Sequence, residues 1–182
     1  ITYINAYGES DSMFSYLYKK NIIDVCLSDD MDILVSGCGH MIKFDKSGII
    51  HYDLENILNK INLKYESFVE MCVIFGCDYI KPIPKLENNV VYELILTDMK
   101  FHEIIRFINK NHIKPKIKAI LLESPSNNEE DLLCYYRDIE PYLKAKDIYI
   151  NSYKNEELID IEIKYYITPV NLESLNLYMK NI

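Results

Sequence analysis

The stretch Ile22-Ile23-Asp24-Val25-Cys26-Leu27-Ser28-Asp29-Asp30-Met31-Asp32 decides the fold. Residues 22–28 form an apolar run after the turn residue Asn21 and read as a buried strand. Asp30 and Asp32 follow directly. In open α/β sheets, ligands bind beyond the carboxyl ends of the strands, so these two acids mark an expected site. Residues two apart point the same way wherever the backbone stays extended.

Upstream, residues 10–20 place Met13, Phe14 and Leu17 on one side at helical spacing, with Lys19 and Lys20 at the C-terminal end. Downstream, residues 37–45 and 48–53 read as short strands joined by a Lys46-Ser47-Gly48 turn. Residues 54–61 read as a short helix. A stronger one spans 65–75, with Phe68, Val69, Cys72 and Phe75 inward, Glu66 and Glu70 outward, and Gly76 as its stop. No glycine follows Gly76, and the chain becomes more helical. Asn88 or Asn89 is expected to cap a helix carrying Val90, Val91, Leu94 and Ile95. Phe101, Ile104, Ile105 and Ile108 set the core face of the next. Residues 124–128 read as a loop, with further helices over 129–143 and 171–179.

Five acids recur in order: Glu9 and Asp11 in Tyr3-Ile4-Asn5-Ala6-Tyr7-Gly8-Glu9-Ser10-Asp11, Asp30 and Asp32 as above, and Asp78 in Phe75-Gly76-Cys77-Asp78-Tyr79. Singly, each has an ordinary role in a helix start or a turn. Jointly they differ, because carboxylates gathered without Lys or Arg repel one another unless a cation intervenes. Apolar neighbours such as Leu27 and Phe75 raise the cost of leaving them uncompensated. With no His or Cys in the set, a hard cation, Mg2+ or Mn2+, suits better than zinc. Two such ions roughly 4 Å apart would activate water, bind a scissile phosphate and stabilise the leaving oxygen.

The chain has 182 residues and 49% hydrophobic residues, enough for one domain and an appendage. No apolar run approaches the roughly 18 residues of a membrane span, and no secretory leader is visible. Ile1 opens on what reads as the middle of a fold, which implies a piece of a longer protein. Five cysteines without a Cys-x-x-Cys pair fit neither a zinc site nor a disulfide framework, so reduced thiols and an intracellular setting are expected. Ile, Lys, Asn and Tyr dominate while Arg occurs twice, usage that suggests an AT-rich genome such as that of a large DNA virus or a protist. The net charge of −8 is unevenly spread. Residues 1–78 and 121–182 each carry −6, whereas residues 79–120 carry +4. A basic block directly after Asp78 could grip a polyanion beside the acids, or simply solvate helix faces through Lys100, Arg106, Lys110 and Lys118.

The three acidic strings resemble those of the flap-endonuclease (XPG-type) 5′-nucleases, Tyr-Val-Asp-Ala-Pro-x-Glu-Ala-Glu, Glu-Asp-Met-Asp and Leu-Gly-x-Asp-Tyr. Tyr165-Tyr166-Ile167-Thr168-Pro169 and Leu172-Glu173-Ser174-Leu175 are similar to the family's closing segment. The resemblance implies a PIN-like α/β fold, a mostly parallel sheet flanked by helices, with a helix-two-turn-helix-like extension. It implies an acidic nuclease region over 1–78, a basic helical DNA-binding region over 79–120, and a helical extension over 121–182 packing on the core. It implies Glu9, Asp11 and Asp30 as ligands of one Mg2+ or Mn2+ ion, with Asp32 and Asp78 serving a second. The implied activity is endo- or 5′-exonucleolytic cleavage of flapped or branched DNA in repair or replication, at a nuclear site, or a cytoplasmic one if viral.

Three departures stand out. The family's N-terminal portion, with two further aspartates, is absent and would come from another segment or a separate chain. Where the family has a Gly-x-Gly hairpin, this chain reads Ile80-Lys81-Pro82-Ile83-Pro84-Lys85-Leu86-Glu87. Fewer backbone amides can approach phosphate there, leaving Lys81 and Lys85 side chains to bind DNA. Asp11 replaces a longer Glu. A lapsed relative that binds DNA or protein without chemistry is the alternative, and a compact RNase is a third.

Overall fold

The computed structural model describes residues 6, 9–46, 48–83, 86–113, 139–151 and 154. Helix α1 (Ser10–Lys19) buries Met13 and Leu17, with Phe14 half-buried beside them. Strand β1 (Cys26–Leu27), the short helix α2 (Asp32–Val35) and strands β2 (His40–Asp45) and β3 (Gly48–Asp53) follow. Helices α3 (Leu54–Lys60), α4 (Tyr65–Phe75), α5 (Asn88–Ile95) and α6 (Phe101–Ile108) come next, and α6 runs into a π-helical turn (Asn109–Ile113). The last described helix is α7 (Glu140–Asn151).

The fold class is mixed α/β. The sheet order is β1-β2-β3, with β1 parallel to β2 and β2 antiparallel to β3. One pair of the two is therefore parallel, where a mostly parallel sheet was expected. The antiparallel pair is the hairpin expected from the Lys46-Ser47-Gly48 turn. Gly48 adopts φ +124°, a value that side chains disfavour, so glycine belongs at this turn.

The stretch 22–28 departs from its reading. Only two residues form a strand, and only Cys26 is buried, whereas Leu27 is 61% exposed. Ile22 and Val25 are exposed as well. The strand lies at the edge of the described sheet, so its apolar side chains have a neighbour on one flank only. An apolar run reports a tendency to be covered; it does not report what covers it.

Two cores meet at the sheet's helical side. One gathers Cys26, Ile33, Leu34, Cys38, Met41 and Leu54 around the strands. The other joins α4, α5, α6 and α7, including Val69, Val73, Val91 and Ile105. Tyr65 and Phe68 of α4 pack against both. The Tyr65 hydroxyl donates to the Val35 carbonyl at 2.7 Å, fastening α4 to the end of α2. Cys26, Cys38, Cys72 and Cys77 are free thiols. Among the described residues, no helix is long and apolar enough to cross a membrane.

Helix α4 occupies residues 65–75 as expected, and α6 buries all four of its expected core residues. Three details are corrected. Asn88 and Asn89 lie inside α5, whose N-cap is Glu87 without a side-chain bond. Glu70 is not an outward residue: α7 covers it, leaving its side chain 14% exposed. Within residues 139–151 the helix starts at Glu140 and runs on to Asn151, past the expected end at 143. The loop at 124–128, the helix at 171–179 and the closing segment from Tyr165 lie outside the described residues.

Candidate metal centre and its supports

Each acid reaches the site from its own local structure. Glu9 is the N-cap residue of α1, and its carbonyl accepts the Ser12 hydroxyl at 2.7 Å. Asp11 lies in the first turn of α1, where a negative side chain suits the helix N-terminus. Asp32 opens α2, and its backbone N–H donates to Asp30 Oδ1 at 3.0 Å. This tight Asp30–Asp32 turn replaces the extended backbone expected there, because residue 32 already begins a helix. Asp78 sits just past α4, in a turn closed by Cys77 N–H to the Ile80 carbonyl (2.9 Å) and Ile80 N–H back to Cys77 (3.2 Å). The turn is possible because Gly76 takes φ +103° and passes close to Pro82.

The acids form one electrostatic neighbourhood. Burial pushes the Asp11 carboxyl above its ordinary range, and the charges of Asp30, Asp32 and Glu9 add to the rise. Asp32 is raised first by burial, then by Asp30 and Asp78, against a lowering hydrogen bond from Tyr149. Tyr79 is raised by burial and by Glu9, Asp11, Asp78 and Asp32 together. Three separated strings therefore lie within reach of one another's charges. No Lys or Arg is among the influences on Asp11 or Asp32, and none of the described ion pairs involves the five acids.

The donor set is oxygen-only and over-charged, which suits Mg2+ or Mn2+. Among the described residues, no three His, Cys, Asp or Glu side chains converge closely enough to share one ion.

Sequence reasoning missed a residue at this site. Tyr149 of α7 donates its hydroxyl to Asp32 Oδ2 at 2.5 Å, and its ring meets that of Tyr79 edge-on with centroids 5.3 Å apart. Cys77 also bonds to it. The Tyr142, Ala145, Tyr149 spacing marks the inner face of a helix, but nothing in the sequence tells that face to meet Asp32.

Comparison with known proteins places the fold. The family model described as the XPG I-region matches residues 1–78, the segment that holds all five acids. Residues 1–78 are thus similar to the I-region of XPG-type nucleases. It is 28% identical over 135 residues to flap endonuclease 1 of Theileria annulata, covering 72% of this chain and 27% of that protein. A probable RAD2-like endonuclease of Invertebrate iridescent virus 6 is 30% identical over 125 residues, covering 63% of this chain and 30% of its own. The chain thus spans less than a third of the length of these two relatives. Among solved structures, the catalytic core of Rad2 in complex with DNA substrate superposes with a TM-score of 0.57 over 98% of this chain and 57% of that one, at 22% identity. At that identity the XPG likeness in three dimensions is a likeness of fold.

Of the two lysines expected to touch DNA, Lys81 is exposed just after the Asp78 turn and Lys85 lies outside the described residues. Between them Ile83 is buried in the helical core, so this glycine-free segment is anchored by its apolar side chains. Lys100, Arg106 and Lys110 are exposed, while Lys118 is outside the described residues.

Proposed function

We propose that this chain is part of a metal-dependent, structure-specific nuclease that cleaves phosphodiester bonds in flapped or branched DNA. The observation that carries this reading is that Glu9, Asp11, Asp30, Asp32 and Asp78 share one electrostatic neighbourhood, with none of them in an ion pair among the described residues, inside a matched I-region. Glu9, Asp11 and Asp30 would serve one Mg2+ or Mn2+, at least one of them through water, and Asp32 and Asp78 the other, directly or through water. When bound, such ions supply an activated water and charge stabilisation at the scissile phosphate and leaving oxygen.

The chain's own residues contribute position and field. Half-buried Asp11 and Asp32 keep part of the site away from bulk water, where their charges are felt more strongly. Exposed Lys81 lies three residues beyond Asp78 and, with Lys85, holds the DNA backbone alongside. A further segment, or a separate chain, supplies the remaining portion of the nuclease core. The setting is intracellular, in DNA repair or replication.

A second reading, a lapsed relative that only binds, is favoured by the absence of a converged carboxylate trio among the described residues. One experiment separates the two. The complete protein is given a fluorescent 5′-flap duplex and Mg2+, beside its Asp30→Ala and Asp78→Ala variants. Cleavage by the parent and loss in both variants supports the nuclease. Flap binding without cleavage by the parent supports the binder.

A further inference from the structure

Tyr149 is distant in sequence from the three acidic strings, yet it touches two of them. Its hydroxyl donates to Asp32 Oδ2, no bond to Oδ1 is seen among the described residues, and its ring edge braces Tyr79, the residue after Asp78. Cys77, the residue before Asp78, also bonds to it. The ring is only 2% exposed, so its direction is fixed by packing. One turn earlier in α7, Lys146 Nζ lies 2.6 Å from both Glu66 Oε1 and Glu70 Oε1 of α4. The helix carrying Tyr149 is thereby locked to the helix whose end carries Asp78.

We propose that Tyr149 is a positioning residue for the metal centre, holding the Asp32 carboxylate in one orientation and clamping it to the Asp78 turn. This rests on the reading of Asp32 as a metal ligand. A carboxylate with one oxygen already bonded presents the other in a fixed direction and loses less freedom when a cation arrives. Partners of this kind typically change metal affinity by about 10- to 100-fold when removed. Tyr149 would act through Asp32 and touch neither the ion nor the DNA.

The test is Mn2+ binding to the complete protein, read from the signal of free Mn2+ in electron paramagnetic resonance. Four proteins are compared: parent, Tyr149→Phe, Asp32→Asn and the double variant. Tyr149→Phe removes one oxygen and keeps the buried ring, and its melting curve checks that the fold is retained. The expected result is Mn2+ affinity about 10-fold weaker in Tyr149→Phe, with no further loss when the same change is made in Asp32→Asn. A structural role for the phenol would weaken binding equally in both backgrounds, and that outcome overturns the proposal. So does parent-like affinity in Tyr149→Phe, which leaves the metal reading standing. Absence of saturable Mn2+ binding in the parent removes the metal reading, and the role of Tyr149 with it.

Discussion

Replacing Lys146 by Met should loosen the seat of α7 and cost about 3 kcal/mol. The Nζ sits 2.6 Å from a carboxylate oxygen of Glu66 and of Glu70, and 5.5 Å from the Phe101 ring centroid. The two carboxylates are unequal. Glu66 is 65% exposed, so its pair contributes between about 0 and 1 kcal/mol. Glu70 is 14% exposed, and stripping the partner from a buried charge costs roughly 3–5 kcal/mol; partial hydration brings this to about 2. The ammonium over Phe101 adds about 0.5–1. Met keeps the apolar stem, so lost packing contributes little. For a chain of this size, about 3 kcal/mol lowers the melting temperature by roughly 6–12 °C. Urea unfolding monitored by circular dichroism measures the loss directly. Because most of the cost is the stranded Glu70 charge, adding Glu70→Gln to Lys146→Met should recover more than half of it. A loss under about 1 kcal/mol, or a double variant no more stable than the single, would refute the assignment of Glu70 as the dominant partner.

Two further outcomes follow from the same geometry. The metal-free protein should gain stability as pH falls from neutral towards 3.8, the ordinary Asp value. Asp11 and Asp32 are raised in the fold, so across that window the native state binds more protons than the unfolded chain, and stability falls as pH rises. Melting curves at stepped pH in a chelator would show it, and a flat or opposite profile contradicts the crowding of these acids. Gly76→Ala should destabilise by about 1–3 kcal/mol, because φ is +103° and the added carbon would lie 2.7 Å from the backbone nitrogen of Pro82; an unchanged melting temperature would show that the Asp78 turn does not depend on this approach.

What the sequence revealed depended on how local the cause was. Helices α4 and α6 were legible because one apolar face recurs at a fixed period and Gly76 stops the first. The β2–β3 hairpin was legible because Lys46-Ser47-Gly48 needs a glycine conformation. Burial of 22–28 was misread, since an edge strand and an inner strand share the same composition. Glu70 was read as solvent-facing because helical periodicity cannot announce a lysine 76 residues away. Tyr149 was invisible for the same reason: its bond to Asp32 spans 117 residues.

The local work done by the acids does not account for their charge. Asp30 Oδ1 accepts the Asp32 N–H to form a tight turn, a task an asparagine side chain performs equally well. Asp78 sits in a turn closed by backbone bonds of Cys77 and Ile80, to which its carboxylate adds nothing visible. Elsewhere the chain shows an acid with a sufficient local reason: Asp53 caps α3, its Oδ1 accepting the Asn56 N–H at 3.0 Å. At the candidate centre, neutral residues would satisfy the same bonds and remove the repulsion that raises Asp11 and Asp32. The excess negative charge is therefore a cost to the isolated fold, one that a bound cation would offset. Substituting Asn at position 30 should accordingly leave the fold intact while weakening cation binding, the division expected of a site whose acids serve a ligand and not the scaffold.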